Sequence, residues 1–114
     1  MSKSLTQLVA EANTHKGSWK KSQLAIDIDF ALWDRYDPDM QFIYPIRSLH
    51  WDDLLAKTIA DDSFDKLTKD QTLSILFGLH HRSRIIDDLW FVMFEQGVSL
   101  RLFRRLLLLD SDKY

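Results

Sequence analysis

The sequence predicts an all-α fold, in which residues 1–114 form a single compact domain of five to six short helices with one irregular loop at about 37–47. Apolar residues recur at helical spacing along most of the chain, most densely over 67–110. A length of 114 residues, with 46% hydrophobic and 12% aromatic residues, is sufficient for one core. Only residues 40–44 are compatible with a short extended segment, and no second segment with strand periodicity is available to pair with it.

The first helix is predicted over residues 4–13. Ser4 precedes the apolar pattern and is a suitable N-cap, and Gly17 interrupts the pattern afterwards. The residues expected to face the core follow the i, i+3, i+4, i+7 spacing of one helix face, and they are Leu5, Leu8, Val9 and Ala12.

A longer second helix is predicted from Ser18 to about Tyr36. Its apolar row is Leu24, Ile28 and Ala31, flanked by Ala25, Phe30 and Trp33. Pro38 is expected to end this helix, because proline lacks a backbone N–H and disfavours helical angles in the residue before it. Residues 37–47 then form the irregular loop, and a loop of this length in a small domain is often functional.

Caps and breaks indicate the remaining helix boundaries. Ser48 is expected to cap a third helix, and Thr68 with Gln71 forms the capping-box pattern of a fourth. The apolar stripe rotates beyond residue 83, so a break is expected near 82–85, with the acidic pair at 87–88 in a new first turn. Gly97 is expected to end that helix, and Ser99 to cap the last one.

Several kinds of chemistry are improbable for this chain. It has no cysteine, which excludes disulfides and thiolate zinc sites. His80 and His81 are adjacent and do not face the same way on a helix, and a histidine on an apolar face is usually hydrogen-bonded in the core. We find no GxSxG elbow, phosphate loop or dinucleotide fingerprint, and only three glycines. We therefore predict no enzymatic activity, no metal site and no cofactor.

The sequence shows no secretory signal and no apolar run near the roughly 20 residues that a membrane span needs. We therefore expect a cytoplasmic protein without membrane contact. If 106–109 formed an exposed apolar strip, it would imply a homodimer.

The charge of the chain is polarised along its length. Residues 22–65 contain ten Asp and three basic residues, a net charge of −7, whereas residues 1–21 and 66–109 each carry +3. Acidic groups around aromatic side chains suit the binding of a basic protein, because aromatic residues supply contact energy and charges steer the partner. The alternative is that these acids are solvated cap and loop residues around core aromatics. The predicted face comprises Asp27, Asp29, Trp33, Asp34, Tyr36, Asp37, Asp39 and Tyr44.

A second hypothesis comes from the segment FVMFEQGVSLRLFRRLLLL. A helix, a turn at Gly97 and a second helix with three arginines resemble the helix-turn-helix of DNA-binding regulators. The resemblance covers about 20 residues and implies that the second helix enters the major groove. The residues implied in DNA binding are Ser99, Arg101, Arg104 and Arg105. The alternative is a helical hairpin whose arginines form a solvated stripe.

From the residues we predict a small non-catalytic protein-binding protein, of the inhibitor, immunity or adaptor type. It would present its acidic, aromatic-containing face to a basic partner, which would itself be a nucleic-acid-handling protein in one version of this hypothesis. A helix-turn-helix DNA-binding regulator is the alternative.

Overall fold

The computed structural model describes residues 3–47, 51–86 and 88–111, with side chains over 3–36, 51–86 and 88–110. Within these ranges the chain forms six α-helices and a single-turn 3₁₀ helix, Phe64–Lys66, without any strand. The helices are α1 (Leu5–Asn13), α2 (Gln23–Arg47), α3 (Trp51–Asp61), α4 (Lys69–Ser83), α5 (Leu89–Glu95) and α6 (Val98–Ser111). The radius of gyration is 13.2 Å. The predicted all-α fold is confirmed.

Helix α4 lies at the centre of the fold, in contact with α2, α3, α5 and α6. Every residue from 72 to 79 is buried, which explains why its apolar residues are not confined to one face. Its buried hydroxyls are satisfied within the helix. Thr72 Oγ1 donates to the Thr68 carbonyl and Ser74 Oγ to the Asp70 carbonyl, each at 2.8 Å.

The caps of α1 and α4 are those that the sequence predicts. Ser4 and Gln7 form a reciprocal capping box at the start of α1, and Thr68 and Gln71 form one at the start of α4. Both helices therefore begin where their caps predict. The predicted capping residue Ser48 lies outside the described residues.

The breaks of the C-terminal half also follow the sequence. Helix α4 ends at Ser83, as the rotation of the apolar stripe predicts. Asp88, which was predicted in the first turn of the new helix, instead lies at the N-cap position just before α5, with a left-handed backbone (φ 70°). Residue 87 lies outside the described part of the chain. Gly97 has φ +80°, a conformation that glycine adopts without steric cost, and it separates α5 from α6 as predicted.

The start of the second helix was predicted wrongly. Helix α2 begins at Gln23 rather than Ser18, and Trp19 in the loop before it contacts α5. The Trp19 ring stacks on Phe94 with 4.8 Å between centroids, and the backbone N–H of Trp19 donates to Glu95 Oε2 at 2.8 Å. These long-range contacts hold residue 19 outside the helix.

The predicted loop at 37–47 was also wrong, because α2 continues through Pro38 to Arg47. An interior proline costs about 3 kcal/mol in a helix. Before Pro38, however, α2 is anchored in the core by a row of almost fully buried residues, Ile28, Leu32 and Tyr36. A helix that is already formed extends without a new nucleation step, so packing outweighs the local signal.

Gly78 makes room for Trp51 where helices α3 and α4 pack together. A Cβ atom placed on Gly78 would lie 2.3 Å from the ring atoms Cγ and Cδ2 of Trp51. The indole of Trp51 therefore occupies the space that any larger residue at 78 would need. The Arg82 guanidinium lies on the ring of Trp51 as well, 5.5 Å from its centroid.

Candidate protein-binding face

A groove of about 950 Å³ runs between α1 and α2. Leu5 and Leu8 of α1 and Ala31 of α2 contribute its apolar lining, and Phe30 stands beside them with 70% of its surface exposed. The other lining residues are polar or charged, and they are Lys3, Ser4, Glu11, Asp27, Asp34 and Arg35.

The α2 wall of this groove is an acidic stripe around one aromatic ring. Asp27, Phe30 and Asp34 are three and four residues apart, so they lie along the same side of the helix. We call these three residues the α2 face. Asp27 accepts a 2.8 Å hydrogen bond from Gln23 Nε2, whereas Asp34 is exposed and has no partner among the described residues.

The two cations beside this groove are paired with carboxylates of the chain itself. Lys3, two residues before α1, forms a salt bridge with Glu11 of α1. Arg35 turns toward α6, where a guanidinium nitrogen lies 3.4 Å from Asp110 Oδ2. The carboxylates of Asp27 and Asp34 therefore keep their negative charge available to a partner.

Three residues of the predicted face point elsewhere. Asp29 is bonded to His80 Nδ1 of α4 at 2.7 Å, and the half-buried Trp33 packs 5.6 Å from Phe77, between ring centroids. Tyr36 is only 2% exposed, and its hydroxyl donates to Asp110. These three side chains join α2 to α4 and α6, which takes them out of the predicted surface. The side chains of Asp37, Asp39 and Tyr44 lie outside the described residues.

Phe30 was not among the residues of the predicted binding face. From the sequence it was placed only beside the apolar row of the second helix. A helical wheel contains the signal, because Phe30 lies two residues after Ile28 and hence about 200° around the helix. Ile28 is fully buried, so a position on the opposite side is exposed. Its spacing to Asp27 and Asp34 then distinguishes it from the core aromatics.

Asp110 is a second residue that sequence reasoning missed. It is 7% exposed and joins three helices: it accepts from Tyr36 of α2, and its carboxylate lies 3.3 Å from Lys69 Nζ of α4. The sequence contains one signal for it. An acidic residue in the last turn of a helix opposes the helix dipole, so another interaction is needed to explain its position.

His80 and His81 lie together at the end of α4, with 5.7 Å between their ring centroids. The described residues contain no group of three or more His, Cys, Asp or Glu side chains arranged to hold a metal ion. Burial, followed by the charges of His80 and Arg84, lowers the pKa of His81 below its usual value. The described helices also include none that is both long and apolar enough to cross a membrane.

The arginines of the helix-turn-helix hypothesis contact other parts of the domain. Arg101 pairs with Asp62 at 2.5 Å, and its guanidinium lies 4.1 Å from the Phe64 ring centroid. Arg104 Nε donates to Asn13 Oδ1 of α1 at 2.9 Å. Arg105 Nε donates to the carbonyl oxygen of Leu67, also at 2.9 Å. They attach α6 to the segments around it.

The prediction that Ser99 caps the last helix was wrong. Helix α6 begins one residue earlier, at Val98, and Ser99 lies fully buried inside its first turn. Its hydroxyl oxygen has no hydrogen-bond partner among the described residues. The reason is that α5 and α6 are joined by a tight turn at Gly97, which leaves no extended residue before the helix.

We expect Ser99→Ala to stabilise the protein by about 1 kcal/mol, because it removes a buried hydroxyl without a partner and favours the helix. Urea unfolding followed by circular dichroism measures this change. Ser74→Ala is the matched control, since Ser74 is equally buried and helical but donates to a carbonyl. An equal gain in both variants would show that helix propensity alone accounts for the effect.

Comparison of the chain with models of known protein families, with curated proteins and with solved structures gives no significant match.

Proposed function

We propose that this protein is a small non-catalytic binding protein, of the inhibitor, immunity or adaptor type, that holds a basic protein partner on the α2 face. The observation that supports this most directly is the Phe30 ring, 70% exposed at the edge of a groove and flanked by two carboxylates. Aromatic anchors of this kind carry much of the binding energy of protein interfaces.

The energetics of such a face divide between its apolar and charged parts. Covering a phenylalanine side chain contributes about 1.5–3 kcal/mol. The carboxylates of Asp27 and Asp34 attract a basic partner from a distance and penalise an acidic one. Because Lys3 and Arg35 are already paired within the chain, they do not cancel this preference.

A photoreactive phenylalanine analogue at position 30 tests this proposal in cells of the native host. We expect one discrete crosslinked adduct with a basic protein, because the ring would be covered by the partner. The same analogue at position 85 is the control, since Ile85 is 81% exposed and lies outside the groove. The same adduct from both positions, or none from position 30, would contradict the proposal.

Charge reversal provides an independent test with the same partner. Asp27→Lys with Asp34→Lys is expected to abolish its capture without changing the helical circular dichroism. The control is Asp61→Lys with Asp65→Lys, which alters the charge equally at two exposed residues outside the groove. Capture that depends on nuclease-sensitive material would instead favour the helix-turn-helix hypothesis.

A further inference from the structure

We infer that the segment of the partner that occupies the α1–α2 groove is an amphipathic basic helix, with two basic residues seven positions apart and apolar residues between them. This inference rests on the proposed function and specifies the partner of the same face. Three observations carry it: the spacing of the two aspartates, the exposed ring between them, and the helical walls of the groove.

The spacing of Asp27 and Asp34 sets the register. Seven residues correspond to about 10.5 Å along an α-helix and return to nearly the same side of it. Two basic side chains seven positions apart on a partner helix have the same separation. A helix lying along α2 thus brings one cation to each carboxylate, and Asp34 has no competing partner among the described residues.

Phe30 determines what lies between the two charges. It sits three residues after Asp27 and four before Asp34, and most of its ring is uncovered. Apolar residues at the third and fourth positions after the first basic residue of the partner would face this ring and the groove. Ala31 is the smallest lining side chain and allows a partner helix to approach closely.

The walls of the groove favour a helix over an extended segment. Both walls are α-helices, whose central backbone groups are bonded within the helix and offer no free edge for strand addition. An extended peptide in this groove would lose water from its own N–H and C=O groups without replacing those hydrogen bonds. A helix satisfies its backbone internally and presents only side chains.

Two helix-forming peptides of identical composition test the inference. Both contain two arginines and two leucines in an alanine-rich sequence. In the first peptide the arginines are seven positions apart, and leucines occupy the third and fourth positions after the first arginine. In the second the arginines are five positions apart, which places them on different sides of the helix. Fluorescence anisotropy measures the affinity of each labelled peptide for the full chain.

We expect the first peptide to bind at least tenfold more tightly than the second. This preference should disappear in the Asp27→Asn, Asp34→Asn variant and persist in the Asp61→Asn, Asp65→Asn control. Equal binding of both peptides to the unmodified protein would overturn the inferred register, and binding of neither would overturn the helical occupant. Crosslinking at position 30 stays an independent test of the proposed function in either case.

Discussion

Gly78→Ala is expected to destabilise this protein by about 3 kcal/mol, although alanine is the better helix former by about 1 kcal/mol. The added methyl group would lie 2.3 Å from atoms of the Trp51 indole, far inside contact distance. Because Gly78 is buried within the central helix, either α3 or the ring must move to admit it. The free energy of unfolding in urea measures the loss.

A double-mutant cycle separates this clash from other effects of the substitution. In a Trp51→Ala background the obstructing ring is absent, so Gly78→Ala should become neutral or stabilising. The sign of the effect therefore changes between the two backgrounds. A stabilising effect in the presence of Trp51 would show that the indole does not occupy the position described.

Asp110→Ala is expected to cost about 2–3 kcal/mol, an effect typical of a lost buried hydrogen bond that involves a charged group. The substitution removes the acceptor of the Tyr36 hydroxyl and the carboxylate that lies near Lys69 and Arg35. Since these contacts join α2, α4 and α6, we expect a lower midpoint of urea unfolding with an unchanged helical spectrum.

Asp61→Ala is the matched control for Asp110→Ala, because Asp61 also lies in the last turn of a helix but is exposed. Its effect should stay within about 0.5 kcal/mol. In a Tyr36→Phe background the cost of Asp110→Ala should decrease, because the hydroxyl that needs the acceptor is absent. Equal costs in both backgrounds would exclude a stabilising bond between Tyr36 and Asp110.

The caps of α1 and α4 and the breaks between the later helices were predictable because their signals are local. Ser4 with Gln7 and Thr68 with Gln71 act over three residues, and their reciprocal hydrogen bonds leave a direct mark in the sequence. The turn at Gly97 follows from the backbone conformation that glycine tolerates.

The course of α2 was less predictable because distant contacts override its local signals. Trp19 keeps the helix from starting at residue 18, through a stacking contact and a hydrogen bond to α5. The continuation past Pro38 likewise follows a packed row that includes Ile28 and Leu32. The expectation that a proline ends a helix considers only neighbouring residues, so it does not take the burial of this row into account.

The acidic face was predictable in part. The sequence placed Asp27 and Asp34 among the candidates for an acidic face, but composition could not distinguish them from Asp29, which is bonded to His80. The partners Asp29 and His80 are 51 residues apart, and Tyr36 and Asp110 are 74 apart. Such pairs form only when the helices are packed.

The helical class of this protein, the caps at the start of α1 and α4 and the acidic central segment follow from the sequence alone, since these properties depend on neighbouring residues and composition. Which aspartates and aromatic rings remain on the surface depends on how the helices pack. Asp29 and Trp33 become internal contacts where α2 packs against α4, and Tyr36 becomes one through its hydrogen bond to Asp110 of α6. The same packing turns Asp34 and the Phe30 ring outward, toward the groove beside α1.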